Sequence, residues 1–249
     1  MTQAQLNVDN AAIFEQLWGI TLELRQKLEA RFELHPNSST QDLQSYRAQT
    51  GEAHGSVNTF SGSEITWLVH SWVRDPQLGF CHMHFNVWLG AQIRVPHFTL
   101  AFATIPQLFF YMDYLPRSDL FVDLDYVDRY YEPFNQTFLN LHSDSSFQRY
   151  TCKNAYMRLA LSPSSLCYLC PPTEEKITYA RTLAHEMLNC WLSWVDEAEP
   201  VPEEERAALS YRDLFIRRAA AERDPDNKIA VRLFGEELTD KLVRSLWGG

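Results

Sequence analysis

From Asn7 to Leu34 apolar residues return every three or four positions, with Ile13, Leu17, Ile20, Leu24 and Leu28 on one face and Asp9 placed to cap the start. That spacing predicts an amphipathic helix, and Pro36 with the polar run behind it predicts its end. From Tyr46 to about Leu115 the period shortens. The runs SVNTF, ITWLVHSWV, CHMHFNVWLG, HFTLAFAT and QLFFYMDYL are rich in β-branched and aromatic residues, and Gly55, Gly62, Asp75-Pro76, Gly90 and Pro106 punctuate them. They read as sequential antiparallel strands. FTLAFA and LFFYM are apolar on both faces, so both faces of the sheet need cover.

Beyond the strands, Asp123–Phe134 reads as a short helix and Asn154–Cys170 as one or two further strands. Thr173, followed by Glu174 and Glu175, opens a helix to about Ala198, which Pro200 and Pro202 break. Another helix covers Glu203–Arg223. Asp224-Pro225 stops it, with Asp224 as the cap of a last helix to Leu246. The expected fold class is α+β: a three-layer α/β/α sandwich with a central, mainly antiparallel sheet flanked by helices on both faces, in a single domain over residues 1–249.

Composition narrows the function. The chain has 22 Lys and Arg against 32 Asp and Glu, a formal net charge of −10, which argues against a nucleic-acid partner. No apolar run reaches about 18 residues, so no membrane span is expected. The first residues have neither a basic n-region with an apolar core nor the Ser/Arg-rich look of a transit peptide, and the 5 cysteines are unevenly spaced. A cytoplasmic, reduced protein is the expectation.

Three constellations could carry chemistry. In Cys81-His82-Met83-His84, the two histidines sit at i and i+2 of a strand and share a face. His97 on the next strand could join them. Such a set could bind zinc, could donate protons because histidine titrates near neutrality, or could be packing histidines in a half-buried sheet. Cys167-Tyr168-Leu169-Cys170 has a redox or zinc spacing, yet no second ligand pair lies nearby and Pro171-Pro172 stands where a redox helix would open, so it reads as buried structural thiols. The third is Asp224, which is either a helix cap held anionic or, if it points into an apolar pocket, a carboxyl held protonated. No G-x-G-x-x-G, P-loop, G-x-S-x-G or H-E-x-x-H is present. A reductase with this sequence would therefore take its electrons from another protein.

The tail Tyr211-Arg212-Asp213, Asp224-Pro225 and Leu233-Phe234-Gly235-Glu236-Glu237-Leu238 resembles the end of the ferredoxin-dependent bilin reductases. The middle resembles the red chlorophyll catabolite reductase branch: Pro96-His97-Phe98, Met112-Asp113-Tyr114-Leu115-Pro116-Arg117-Ser118-Asp119-Leu120, then Asp125-Tyr126 to Tyr130-Tyr131. The matches cover about 110 positions in two blocks, in family order. The resemblance implies an antiparallel sheet between helices and a linear tetrapyrrole held between the sheet and the C-terminal helices. It also implies single electrons from reduced [2Fe–2S] ferredoxin, protons from side chains, and no metal or organic cofactor bound by the chain itself.

By position, Asp224 matches the family's C-terminal catalytic aspartate, and His84 lies where a strand histidine meets the substrate. An acid found two positions later in some members is Asn86 here. The central carboxylate of the next strand falls on Thr99 or Ala101, neither an acid, and a basic residue that can meet a substrate propionate falls on Cys170. The expected catalytic residues are Asp224, His84 and His97, and the expected substrate-binding residues are Asn86, Thr99, Arg158, Arg217 and Arg218. The arginines suit carboxylates because a guanidinium fork matches their geometry. Ferredoxin is acidic, so the arginine-bearing C-terminal helices are its expected dock. A biliverdin-type bilin reductase, and a non-catalytic tetrapyrrole-binding protein lacking the central acid, are the alternatives; a His-ligated metalloenzyme is more distant.

Overall fold

The computed structural model describes residues 10–248, leaving out the side chain of Ile105. The expected strands form β3 (His54–Ser61), β4 (Ile65–Asp75), β5 (Phe80–Leu89), β6 (His97–Ile105) and β7 (Gln107–Leu115). Each pairs antiparallel with the next, and β9 (Leu166–Cys170) adds beyond β7. Two-residue strands, β1 (His35–Pro36), β2 (Tyr46–Arg47) and β8 (Gln148–Arg149), complete a nine-stranded sheet ordered β1-β3-β4-β5-β6-β7-β9-β8, with β2 also on β3. The β4–β5 hairpin turns on Asp75, whose Oδ1 accepts from Gln77 N and Leu78 N (3.0 and 3.3 Å). Gly79 then takes φ +62°, and a Cβ there would lie 2.1 Å from Asn10 Nδ2.

One face of the sheet is sealed. Met83, Phe85 and Val87 of β5, Phe98, Leu100 and Phe102 of β6, and Leu108, Phe110 and Met112 of β7 have no exposed surface. They pack with the buried stripes of α1 (Asn10–Arg31) and α5 (Glu174–Asp196) in one apolar cluster. Thr173 Oγ1 caps α5 by accepting from Lys176 N (3.3 Å), and Trp191 Nε1 donates to Pro96 O (2.8 Å) at the centre of the layer. The other face carries α6 (Glu203–Arg223), α7 (Asn227–Phe234) and α8 (Glu236–Trp247), anchored where Phe234 and Leu242 pack on Val57 of β3 and where Trp67 Nε1 donates to Ser245 O (2.9 Å). The three-layer α/β/α arrangement is therefore as expected.

Several boundaries differ from expectation. The proposed Asp9 cap lies outside the described residues. The Asp123 helix breaks at Tyr131 into α2 (Leu124–Tyr130) and α3 (Glu132–Ser143). Asn154 begins no strand: its Oδ1 accepts from Tyr156 N and Met157 N (2.9 and 3.3 Å) and caps a short helix, α4 (Ala155–Leu159). The last helix is two, because Gly235 at φ +78° separates α7 from α8. Asp224 does not cap it. Its Oδ1 accepts from Asp226 N (2.9 Å) in a turn of its own, and Asp226 occupies the cap position.

Buried histidine links the fold to pH. His70 is fully buried, stacked on Trp18 at 4.0 Å, with Nε2 2.9 Å from Thr21 Oγ1. Burial, then the Arg25 charge, pushes it down to about 3. His97, also buried, is pushed down to about 4 by burial and by Arg117. The unfolded chain takes up these protons near pH 6.5 and the native chain does not, so native stability is lost as pH falls. The unfolding temperature is expected to drop steadily from pH 6.5 toward 4, and a flat profile refutes this account.

Candidate functional site on the open face of the sheet

The face beneath the C-terminal helices differs in kind from the sealed one. Strand register lays its residues out in rows. His82, Ala103, Phe109 and Leu169 form one row; His84, Ala101, Tyr111 and Cys167 the next; Asn86, Thr99 and Asp113 a third. His82, His84, Phe109, Tyr111, Cys167 and Leu169 are all half-exposed, although they sit on inner strands of the sheet. Only methyl groups, those of Ala101 and Ala103, lie between the histidines and the aromatic residues. The result is a recess with a floor of small residues, imidazoles along one side, and Phe109 and Tyr111 along the other.

The electrostatics agree. Burial lowers His82, with the Asp226 charge opposing it, and lowers His84 further, helped by the His82 charge. Imidazoles half-exposed to solvent yet ruled by desolvation are groups at the bottom of a recess. Their rings lie 4.2 Å apart. Beside them Thr99 Oγ1 donates to Asn86 Oδ1 at 2.5 Å, so both are already partnered on the sheet.

The recess also holds an acid that belongs to a quoted motif but not to the expected site residues. Asp113 is 1% exposed. Its carboxylate accepts from Tyr114 N (2.8 Å), Ser162 N (3.0 Å) and Tyr111 Oη (3.1 Å). Burial pushes it up to about 6 against the lowering effect of these donors. The signal was in the sequence: Phe109, Tyr111 and Asp113 alternate along β7, and a carboxylate on a strand covered on both sides is anomalous.

Above the recess, Asp224 is half-buried at the end of α6, and burial raises its carboxyl above the ordinary range, with the Asp226 charge adding to it. Asn154 Nδ2 donates to Arg223 O (3.1 Å) and Arg223 lies 4.2 Å over Tyr156, which holds the turn against α4. Arg217 of α6 reaches the sheet, its guanidinium carbon 5.5 Å over the Trp88 ring. Arg217 Nε and Trp88 Nε1 are both buried donors without a partner. Burial lowers Arg217 while Asp213 opposes it.

The remaining expected residues stand away from the histidine end of the recess. His97 packs on Trp88 at 4.6 Å; its Nδ1 accepts from Leu89 N (3.0 Å) and its Nε2 lies 3.1 Å from Asp213 Oδ1, at an angle poor for a hydrogen bond. It shares the open face with Thr99 and Ala101 but stands beyond them, at the end where Trp88 and Arg217 pack, and makes no ring contact with His82 or His84. Arg158 is exposed and donates to Cys152 O (2.7 Å). Arg218 is exposed and lines an 830 Å³ groove between α6, α7 and α8. Cys167 and Cys170 alternate to opposite faces of β9, so the pair cannot converge on a metal or on each other. Among the described residues no group of three or more His, Cys, Asp or Glu is placed to hold a metal ion, and no helix is long and apolar enough to cross a membrane.

Residues 18–247 match the family described as red chlorophyll catabolite reductase (RCC reductase). The chain belongs to that family. It is 26% identical to the red chlorophyll catabolite reductase, chloroplastic, of Arabidopsis thaliana, over 91% of this chain and 78% of that protein. It is 24% identical to red chlorophyll catabolite reductase 1, chloroplastic, of Oryza sativa subsp. japonica, over 86% and 70%. Among solved structures its fold matches phytochromobilin synthase from tomato in complex with biliverdin, at TM-score 0.74 and 16% identity, over 89% of this chain and 79% of that one. For this member of the RCC reductase family the cytoplasmic expectation is overturned, since both plant relatives are named chloroplastic.

Proposed function

We propose that this chain reduces an open-chain tetrapyrrole of the chlorophyll-catabolite type, taking single electrons from reduced ferredoxin and protons from its own side chains. The observation that carries the reading is the asymmetry of the sheet. One face is sealed by apolar side chains, and the other holds a recess with His82, His84, Tyr111 and Asp113 along it and Asp224 above. A conjugated pigment accepts an electron more readily once a nitrogen or carbonyl oxygen is protonated, and a buried carboxyl held above its usual range can supply that proton. The histidines, held neutral by burial, serve as hydrogen-bond partners for the pigment. Family membership and the fold shared with a biliverdin-binding enzyme support the same substrate class. The plant relatives favour a plastid as the compartment. Arg218 and Arg232, both exposed on the C-terminal helices, favour that side as the dock for an acidic electron donor.

Anaerobic incubation with reduced ferredoxin and a panel of open-chain tetrapyrroles tests the reading. Progressive bleaching or shift of the pigment spectrum is expected, and binding without any reduction overturns it in favour of a carrier. Arg217 and Trp88 present the unpartnered donors a pigment carboxylate requires. Arg217→Gln is expected to raise KM roughly tenfold or more with kcat little changed, because a charge-assisted hydrogen bond contributes about 1.5–3 kcal/mol. An unchanged KM in steady-state assays removes Arg217 from substrate binding.

A further inference from the structure

We propose that Tyr111 and Asp113 form a proton relay that delivers hydrogen ions to the bound pigment from the β7 side of the recess, in place of the acid missing from β6. The inference rests on the tetrapyrrole-reduction reading above and deepens it. The resemblance calls for a central carboxylate at Thr99 or Ala101. Thr99 is already bound to Asn86, and Ala101 has only a methyl. Register places Tyr111 directly opposite Ala101, and Ala101 directly opposite His84. His84 and Tyr111 thus stand two strands apart, roughly 10 Å, on either side of the methyl floor. A pyrrole ring laid on that floor meets the imidazole on one edge and the phenol on the other.

The phenol is the accessible member of the pair and the carboxyl the enclosed one. Tyr111 is half-exposed, Asp113 is 1% exposed, and Tyr111 Oη donates to Asp113 Oδ2 at 3.1 Å. Two main-chain donors, Tyr114 N and Ser162 N, also point at the carboxyl, so its anion is supported after it gives up a proton. The titratable groups around it are Tyr111 and Tyr114 on β7, Cys167 on β9 and Tyr131 between α2 and α3. Burial pushes all four up, so they stay neutral while Asp113 titrates near 6.

The balance of one cycle is simple. An electron from reduced ferredoxin enters the pigment. Protonation of Asp113 reverses the bond between the two, so that the carboxyl O–H donates to Tyr111 Oη and the phenol hydrogen turns to the pigment. The Tyr111 O–H bond then breaks as its proton bonds to the reduced pigment, and the Asp113 O–H bond breaks as its proton passes to the phenol oxygen. Tyr111 is restored, Asp113 is left as carboxylate, and solvent reprotonates it before a second electron and proton complete the saturation of one double bond. Tyr111 is the donor in contact with pigment; Asp113 acts through it.

The test uses the full chain with reduced ferredoxin and biliverdin or a red chlorophyll catabolite, whichever the wild type reduces, in anaerobic single turnovers across pH 5–8. Tyr111→Phe and Asp113→Asn are compared with wild type. Pigment affinity is read from the absorption shift, and the one-electron-reduced pigment is followed by electron paramagnetic resonance. In both variants affinity is expected within about threefold of wild type, with the pigment radical decaying at least about tenfold more slowly and the wild-type inflection near pH 6 absent. The double variant should be no slower than the slower single one. Should Asp113→Asn disturb the fold, Tyr111→Phe alone decides, since it deletes one hydroxyl from a half-exposed ring. Wild-type decay and an unaltered pH profile in Tyr111→Phe overturn the relay and leave the reductase reading standing. A wild type that reduces no pigment overturns the reductase reading itself, and the relay with it.

Discussion

Asp224→Asn is expected to keep pigment binding and lose turnover. The substitution preserves what the turn needs. Asp224 leaves α6 in an extended conformation, at φ −65° and ψ 119°, and its Oδ1 accepts from Asp226 N at 2.9 Å. An asparagine oxygen can accept the same bond. The link from Asn154 to Arg223 O, which holds the turn in place, does not involve the side chain. What disappears is the proton. Burial raises the Asp224 carboxyl, so its acid form persists to higher pH than that of a solvated aspartate. The turn overhangs the recess, since the neighbouring Asp226 charge is felt at His82. Loss of a positioned general acid lowers rates by about 10²–10⁴-fold. Single-turnover reduction is therefore expected to fall by about two orders of magnitude, with the pigment absorption shift of the complex unchanged. Wild-type turnover in Asp224→Asn removes this residue from the chemistry.

The strands were legible because their alternation is nearly free of interruption and every break is a Gly or Pro turn. The sealed face was legible for the same reason: FTLAFA and LFFYM demand cover on both sides. Other features depend on partners far away in sequence. Ala155–Leu159 has no strong helical period, and only the capping oxygen of Asn154 turns it into a helix. Gly235 sits inside a run whose apolar spacing continues across it, so the break follows from its backbone conformation alone. Among the candidate residues, His84 was singled out by its strand position and Asp224 by the tail motif of the resemblance. Asp113 was quoted within another motif, and its enclosure and its partner Ser162, 49 residues further on, became clear only from the folded chain. The Cys167 and Cys170 spacing misleads in the opposite way, because strand alternation sends the two thiols to different faces.

The second large effect comes from a pair invisible in the sequence. Arg117 and Asp213 lie 96 residues apart. The Arg117 side chain has 0% exposure, and its Nη2 and Nε donate to the two Asp213 oxygens at 2.6 and 3.4 Å. Nη1 donates to Gly90 O (3.1 Å) and to Ile93 O. Next to it on α6, Arg212 donates to Pro116 O and Ser118 O (2.7 and 3.1 Å). These bonds lock α6 to the β5–β6 connection and to the loop after β7. Asp213→Leu leaves a buried guanidinium without its counter-charge, which costs about 3–5 kcal/mol, a large share of the roughly 5–15 kcal/mol that holds a domain folded. The double change Arg117→Met with Asp213→Leu removes both charges and is expected to recover most of that loss, so denaturant midpoints of the four proteins should show strong coupling. The pH dependence carries a second signature. Burial alone would raise the Asp213 carboxyl, but His97 and Arg117 outweigh it and hold it below its ordinary value. On acidification the unfolded chain binds this proton first, near pH 3.9, so the stabilisation is present above that pH and is lost below it. Asp213→Leu should flatten that acid limb. It should also loosen Arg217, one turn further along α6, so KM for the pigment rises along with the loss of stability. Additive midpoints with an unchanged acid limb would mean that the pair contributes little and that apolar packing alone holds α6 over the recess.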